Sequence, residues 1–349
     1  MLDLPEPDIL YAALIRRDPA YEGRAIVGVK TTGIYCRLTC PSRKPRPENC
    51  LWFADPASAR AAGFRACRRC HPDGSHAEGF VKLLVRTLQD EPARRWREAD
   101  LVEMGLDPST VRRAFQRHYG QSFLQMARAA RVKGAMDSLM KGERMIEAQL
   151  EAGFESASGF RAAFSRLFGH APHELRGQGG LRADWIETPL GGMIAITDDQ
   201  ALHLLEFTDR KALPDGLRKL SSMVGGRIGL GRNGVTDQVE RELAAYFKGN
   251  GPTFSVPVAL HGTAFQRQVW QELQRIPAGT TLSYGDLARK IGNPNAVRAV
   301  ARTNATNRVA LVVPCHRVIG ADGSMTGYAG GLWRKRRLIE AERAYADGT

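Results

Sequence analysis

The apolar positions of this chain follow two rhythms, one after the other. Across residues 80–176 they recur at helical spacing with no strand-like alternation. Val111, Phe115 and Tyr119 fall on one helical face, while Arg112, Arg113 and Arg117 lie off it. Asp107-Pro108 supplies a capping residue and then proline at the first helical position. A second such helix opens after Gly153-Phe154, with Phe160, Phe164 and Leu167 on its apolar side and Arg161 and Arg166 off it. A glycine turn before each helix predicts two helix-turn-helix units joined by a long helix, Phe123–Met140, each able to set a basic helix into a major groove. A plain helical domain with solvated basic faces fits the same periodicity.

The run Arg176-Gly177-Gln178-Gly179-Gly180 reads as a flexible linker, and beyond it the rhythm changes. Residues 193–196 and 202–207 are continuous apolar runs, the pattern of buried strands, and predict an α/β subdomain to about Gly262. Phe265, Val269, Leu273 and Ile276 line the next helix. Ser283 with Asp286 makes a capping-box start for another. After the Gly292-Asn293 turn, residues 295–304 predict a helix with small side chains on one side and Arg298 and Arg302 one turn apart, a third helix-turn-helix. Residues 308–313 read as a buried strand that delivers Pro314-Cys315-His316-Arg317-Val318, and residues 333–345 as a closing helix.

Composition narrows the class. With 349 residues, 43% apolar and 25% charged, the chain suits several globular cores and excludes a disordered or collagen-like polymer. No apolar run is long enough to cross a membrane, and MLDLPEPDIL lacks a basic-then-apolar signal pattern, so a cytoplasmic, reducing location is expected. The net charge of +13 and a pI near 9.8 point to a polyanionic partner, nucleic acid being the commonest, unless the charge serves solubility alone.

Five of the six cysteines fall between Cys36 and Cys70, spaced Cys36-x3-Cys40 and Cys67-x2-Cys70, with Cys50 between the pairs. Two short-spaced pairs across a loop are how four thiolates reach one tetrahedral zinc, and Arg37, Arg43, Lys44, Arg65, Arg68 and Arg69 would offset its negative charge. Cys67-Arg68-Arg69-Cys70-His71 also matches a c-type haem attachment run, although that leaves the upstream pair unexplained. A redox disulfide switch and a purely structural zinc are the other readings. Cys50 suits a packed core thiol. Cys315, alone at the end of an apolar run, is by type more often core than nucleophile.

Longer runs add specificity. Thr31 to Pro41, with Ala62-Gly63-Phe64-Arg65-Ala66-Cys67-Arg68-Arg69-Cys70, resembles the N-terminal domain of the bacterial Ada proteins. Gly153-Phe154, Ser158, Phe160, Phe164, Gly169 and Pro172 resemble the second unit of AraC-type regulators, although Leu101 and Gln149 stand where those regulators have a small alanine. Pro314-Cys315-His316-Arg317-Val318, with Asn293-Pro294, Arg298-Ala299-Val300 and Gly327-Tyr328-Ala329-Gly330-Gly331, is similar to the catalytic domain of O6-alkylguanine-DNA alkyltransferases. The three together resemble a full-length Ada protein.

The resemblance implies a multidomain chain, part α/β and part α. It would comprise a zinc-binding methylphosphotriester repair domain (1–77), an AraC-type all-α double helix-turn-helix (78–176), a linker (177–180), an α/β subdomain (181–262) and a helical, winged-helix-like catalytic domain (263–349). It implies one zinc ion held by Cys36, Cys40, Cys67 and Cys70, with Cys36 accepting methyl groups from DNA phosphates. Cys315 would accept the alkyl group of O6-methylguanine, and of O4-methylthymine. His316 would act as its base through a water, Glu342 would orient the histidine, and Tyr284 would give a proton to the departing guanine. Asn307 would brace the turn. Arg298 would replace the flipped base in the stack, while Arg302, Arg112, Arg113 and Arg161 would face DNA. A thioether is a stable product and no nearby group takes the methyl onward, so transfer is expected to be stoichiometric. The implied partners are alkylated double-stranded DNA, promoter DNA and RNA polymerase, with the chain a monomer. The reading from a different class is a zinc-dependent transcription regulator that transfers nothing.

Overall fold

The computed structural model describes residues 4–18, 21, 25–72, 76–175, 179–249 and 253–347. It divides into two compact units, residues 1–86 and 87–349.

In the first unit α1 (Pro7–Arg16) starts on a proline and ends at Arg17 in the left-handed region. A four-stranded sheet follows in the order β3-β1-β2-β4, from β1 (Ile26–Val29), β2 (Ile34–Arg37), β3 (Cys50–Phe53) and β4 (Arg65–Ala66). Strand β1 runs antiparallel to β2 and β3, and β4 lies parallel to β2. Helix α2 (Pro56–Ala61) is capped by Asp55, whose carboxylate accepts from the Ser58 amide at 2.7 Å. Leu10, Leu14, Val27 and Leu38 pack with Cys36, Cys40, Cys50 and Cys67 into one small core. Cys50 is thus the packed thiol its surroundings suggested, its Sγ 3.4 Å from the Arg46 carbonyl. Helix α3 (His76–Asp90) runs across the division between the units.

The second unit begins with the two helix-turn-helix pairs: α4 (Glu98–Glu103) with α5 (Pro108–Tyr119), and α7 (Met145–Glu151) with α8 (Ala157–Phe168), joined by α6 (Phe123–Met140). The second helix of each pair has a capped start, that of α5 as Asp107-Pro108 suggested. Asp107 accepts from the Thr110 amide at 2.7 Å and Ser156 from the Gly159 amide at 3.1 Å. Gly120 (φ 67°) and Gly169 (φ 69°) close α5 and α8 in the left-handed region that favours glycine. Gln149 is accommodated because its amide donates to the Phe154 carbonyl at 3.1 Å, and Leu101 is simply buried.

A second sheet follows, ordered β7-β6-β5-β8, from β5 (Leu181–Ile186), β6 (Met193–Thr197), β7 (Leu202–Phe207) and β8 (Ile228–Leu230), flanked by α9 (Leu213–Val224) and α10 (Gly234–Lys248). Side chains alternate across a strand, and here both faces are covered. Ile194, Ile196 and Leu204 join Phe160, Phe164 and Phe168 of α8 and Leu217 and Leu220 of α9. Met193, Ala195, Leu205 and Phe207 join the core of the C-terminal helices. That is why residues 193–196 and 202–207 read as unbroken apolar runs. The phenylalanines of α8 therefore share one core with the sheet, and each is at most 1% exposed, a burial of about 1.5–3 kcal/mol apiece. Residues 177 and 178 of the expected linker lie outside the described residues. On either side the chain is packed: Leu175 is buried and its carbonyl accepts from the Leu230 amide at 2.9 Å.

The C-terminal part comprises α11 (Ala264–Gln274), β9 (Leu282–Ser283), α12 (Tyr284–Lys290), α13 (Val297–Ala305), β10 (Val318–Ile319) and α14 (Leu332–Asp347). One expectation is corrected. Residues 308–313 form no strand, although 309–313 are buried; they make a compact turn with an isolated bridge from Val309 to Leu205. Leu311 takes φ 68°, and the backbone closes on itself through Val313 to Val309 and Val312 to Ala310. The Asn307 side chain satisfies the Val309 amide (2.9 Å) and the Val313 carbonyl (2.8 Å), bonds that a ladder would otherwise supply.

Candidate active sites

The first site is built by strand pairing. Tyr35 on β2 lies opposite Ala66 on β4, and the Cys67 amide donates to the Tyr35 carbonyl at 3.0 Å, so Cys36 on β2 and Cys67, directly after β4, come from neighbouring segments. A turn after β2 returns Cys40, whose Sγ is 4.0 Å from that of Cys67. The turn after β4 brings Cys70 to accept from the Arg37 amide at 3.4 Å. The four sulfurs all lie within 4.8 Å of one another, against about 3.8 Å between ligands of a tetrahedral zinc with 2.3 Å bonds. Crowding polarises them. Hydrogen bonding to Cys70 and burial push the Cys36 thiol up, and the same contact with Cys36 pulls Cys70 down to about 6. Four thiolates this close need a cation among them, and the donor set suits zinc. Lys44 clamps the turn, donating to the Leu38 and Cys40 carbonyls at 3.1 and 3.2 Å. Beside Cys36 and Cys40 is a cavity of about 260 Å³ walled by Leu14, Val27, Val29 and Ile34, with Arg43 and Lys44 also on its lining.

The second site is centred on Cys315, which opens a single 3-10 turn, Cys315–Arg317, directly before β10. The parallel pairing of β10 with β9 (Val318 with Leu282, Ile319 with Ser283) brings the start of α12, and so Tyr284, to the same place. Asn307 donates to Cys315 Sγ at 3.1 Å, and Asn304 donates to the Cys315 carbonyl at 3.3 Å. Burial holds the Cys315 thiol above its ordinary range, opposed by the Asn307 hydrogen bond and the charges of Arg210 and Lys335.

His316 Nε2 lies 2.9 Å from Glu342 Oε1, while Nδ1 is buried with no hydrogen-bond partner among the described residues. Burial lowers the His316 pKa although Glu342 opposes it, so the imidazole is neutral and able to accept a proton. Burial acts to raise Glu342, but hydrogen bonds from His316 and Arg317 prevail and hold it below the usual carboxylate range. Its remaining partners are Arg317 Nη2 (2.8 Å), the Tyr246 hydroxyl (2.8 Å) and the Gly279 amide (3.2 Å). The Tyr284 hydroxyl sits 3.5 and 3.4 Å from the Thr326 and Gly327 carbonyls, and burial pushes its pKa up, which keeps its proton in place.

The structure thus brings Cys315, His316, Glu342, Tyr284 and Asn307 into one site. Arg298 and Arg302 are exposed on α13, and Arg113 and Arg161 are exposed on α5 and α8. Arg112 is exposed as well but ion-paired with Glu98 at 2.5 Å. Sequence reasoning missed Asn304, Arg210, Tyr246, Arg317 and Lys335. Arg317 stood inside the quoted Pro-Cys-His-Arg-Val run, and a charge in an apolar context was a signal left unused. Arg210 and Tyr246 come from the α/β subdomain and carried no local signal.

Three family profiles match the chain: the metal binding domain of Ada over residues 10–73, a helix-turn-helix domain over 102–178, and the DNA binding domain of 6-O-methylguanine DNA methyltransferase over 264–344. The chain is similar to the bifunctional transcriptional activator/DNA repair enzyme Ada of Escherichia coli K12, 32% identical over 343 residues, which is 96% of each chain. It is also similar to the methylated-DNA–protein-cysteine methyltransferase of Mycobacterium leprae, 40% identical over 45% of this chain and 90% of that protein. Among solved structures, the Mycobacterium tuberculosis O6-methylguanine methyltransferase covers 48% of this chain and 94% of its own, at 37% identity and a TM-score of 0.42.

Proposed function

The chain belongs to the Ada family of bifunctional transcriptional activators and DNA repair enzymes, and from that premise we propose how its residues divide the work. The protein repairs DNA by methyl transfer to its own cysteines, carries one zinc and has a regulatory role. Of the two readings drawn from the sequence, repair with regulation is favoured over regulation alone.

In our assignment Cys315 is the acceptor for O6-methylguanine and O4-methylthymine. The observation that carries this is a buried thiol that accepts from Asn307, followed directly in the chain by a histidine paired with the buried Glu342. His316, already neutral, takes the thiol proton through a water while Glu342 fixes the ring. The thiolate then attacks the methyl carbon. The S–C bond forms, the C–O bond breaks, and the electron pair departs with guanine, which takes a proton from Tyr284. The tyrosine recovers its proton from the pool that received the thiol's, so the balance is one proton moved from thiol to base. The base must leave the stack to react, and Arg298 fills the space it vacates. Arg302, Arg113 and Arg161 contact the backbone, with Arg112 doing so only on release from Glu98. No group beside Cys315 takes the methyl onward, so each acceptor works once.

We assign Cys36, Cys40, Cys67 and Cys70 as the zinc ligands, with Cys36 accepting methyl groups from phosphotriesters. Bound zinc keeps these thiols ionised at neutral pH. Methylation turns the Cys36 thiolate into a neutral thioether and removes one negative charge beside a polyanion, which strengthens DNA binding and signals damage to the promoter. The division of labour follows 1–77, 78–176, 181–262 and 263–349. A monomer acting in the cytoplasm and engaging RNA polymerase completes the reading; among the described residues no helix is long and apolar enough to cross a membrane.

Intact and peptide masses after incubation with two DNAs test the assignment. A duplex with O6-methylguanine should add about 14 Da at Cys315, and one with methylphosphotriesters the same at Cys36, each once. Gain at neither cysteine would overturn both acceptors, and repeated turnover would overturn stoichiometry. For the switch, an unchanged or weaker DNA affinity after Cys36 methylation rejects the charge argument.

A further inference from the structure

The C-terminus of α13 and the turn that holds Cys315 are both tied to a side chain from outside the catalytic segment. Arg210, just after β7, donates from Nη1 to the Asn307 carbonyl at 2.9 Å and from Nη2 to the Ala305 carbonyl at 3.1 Å. Ala305 is the last residue of α13, whose final carbonyls have no intrahelical partner. Asn307 is the residue that donates to Cys315 Sγ. One guanidinium therefore caps the helix carrying Arg298 and Arg302 and also pins the residue that touches the acceptor sulfur.

The anchor itself is rigid. Arg210 is ion-paired with Glu206, which is 3% exposed on β7. Strand β7 is fastened to the same turn by its backbone, Leu205 to the Arg308 carbonyl and Ala310 to the Leu205 carbonyl, both at 2.8 Å.

We infer that Arg210 is a positioning residue for methyl transfer: it holds the DNA-facing helix α13 and the acceptor turn in fixed register and directs positive charge toward Cys315. A planar fork is suited to two carbonyls at once in a way that an ammonium is not. The other groups whose charge or hydrogen bonding acts on the Cys315 sulfur are Asn307 from the turn, Lys335 from α14, and Tyr284 and Tyr328. Glu206 offsets part of the Arg210 charge. Arg210 heads the charged groups that lower the Cys315 pKa, ahead of Lys335. This inference rests on Cys315 being the acceptor.

The test uses the full chain, zinc-loaded, in single-turnover transfer from an O6-methylguanine duplex across pH 6 to 9.5. Arg210→Met leaves Glu206 buried without its partner, so the double variant Arg210→Met/Glu206→Gln is measured beside it, and Arg210→Lys restores charge without the fork. The double variant should slow transfer about 10- to 100-fold at neutral pH and move the rate–pH midpoint upward by about one unit. Arg210→Lys should return the midpoint toward wild type while leaving the rate reduced. A double variant with wild-type rate and midpoint overturns the inference, as does one that lowers the melting temperature alone. If the wild-type chain transfers nothing to Cys315, the acceptor assignment fails first and takes this inference with it.

Discussion

The two cysteines assigned as methyl acceptors sit in opposite surroundings. Cys36 lies among three other thiols in a small core, where its neighbours are its own competitors for ionisation. Cys315 has no other thiol beside it in its core cluster; it is fully buried, and what opposes its protonation is a hydrogen bond from Asn307 and two cations set into other elements. The first arrangement needs an external cation to become a set of thiolates. The second relies on the fold to offset part of the cost of ionising a buried thiol, through Arg210 just after β7, the 307–313 turn and α14, and its proton must still be taken by a base. A metal site of this kind can be encoded in about forty residues, whereas the acceptor site draws on residues from Arg210 to Glu342.

Four predictions probe that contrast. The largest effect is selective loss. Cys315→Ala should abolish transfer from O6-methylguanine while Cys36 is still methylated by phosphotriester DNA, and Cys36→Ala should do the reverse, both read by peptide mass. Cross-inhibition would show that the two sites are not independent. Next comes chelation. Structural zinc contributes on the order of 10 kcal/mol to small domains, so stripping it should render residues 1–86 protease-sensitive while Cys315 transfer continues. Equal loss at both sites would erase the distinction between a metal-dependent site and a metal-free one.

A smaller effect belongs to Glu342→Gln, which leaves Arg317 buried and uncompensated and should cost about 3–5 kcal/mol of stability in urea denaturation. It carries a sign in pH. The folded carboxyl lies below its unfolded value, so its contribution is complete above that unfolded value, about 4.3, and is lost as pH falls toward the folded one. The gap between wild type and variant should accordingly close on acidification below about pH 4. A gap that widens there would refute the sign. The smallest effect is electrostatic. Arg302→Ala and Arg161→Ala should each reduce the slope of log affinity against log salt by about one, while Arg112→Ala, already paired with Glu98, should change it less.

Much of the fold could be read from the chain because the signals were local. The Asp107 and Ser283 caps, the turn glycines and the paired cysteines all act over a few residues. That Cys315, His316, Glu342, Tyr284 and Asn307 belong together was legible only through resemblance, since no spacing rule joins residue 284 to residue 342. Residues 308–313 misled because a buried turn and a buried strand look alike when every side chain after Arg308 is apolar. What decides between them is where the backbone hydrogen bonds go, and here a single asparagine at 307 answers that. Arg210 was illegible for the converse reason, its partners lying about a hundred residues downstream.

The core that α8 shares with the second sheet has a consequence for synthesis on the ribosome. Phe160, Phe164 and Phe168 leave the exit tunnel before Ile194, Leu204 and Leu220 have emerged to cover them. At bacterial elongation rates of about 5–20 residues per second, that interval lasts several seconds. For that time the nascent helix-turn-helix segment carries an uncovered aromatic stripe, and a message truncated after it would yield a fragment that sticks to others. The helix-turn-helix segment of this protein completes its core only when the second sheet has been made.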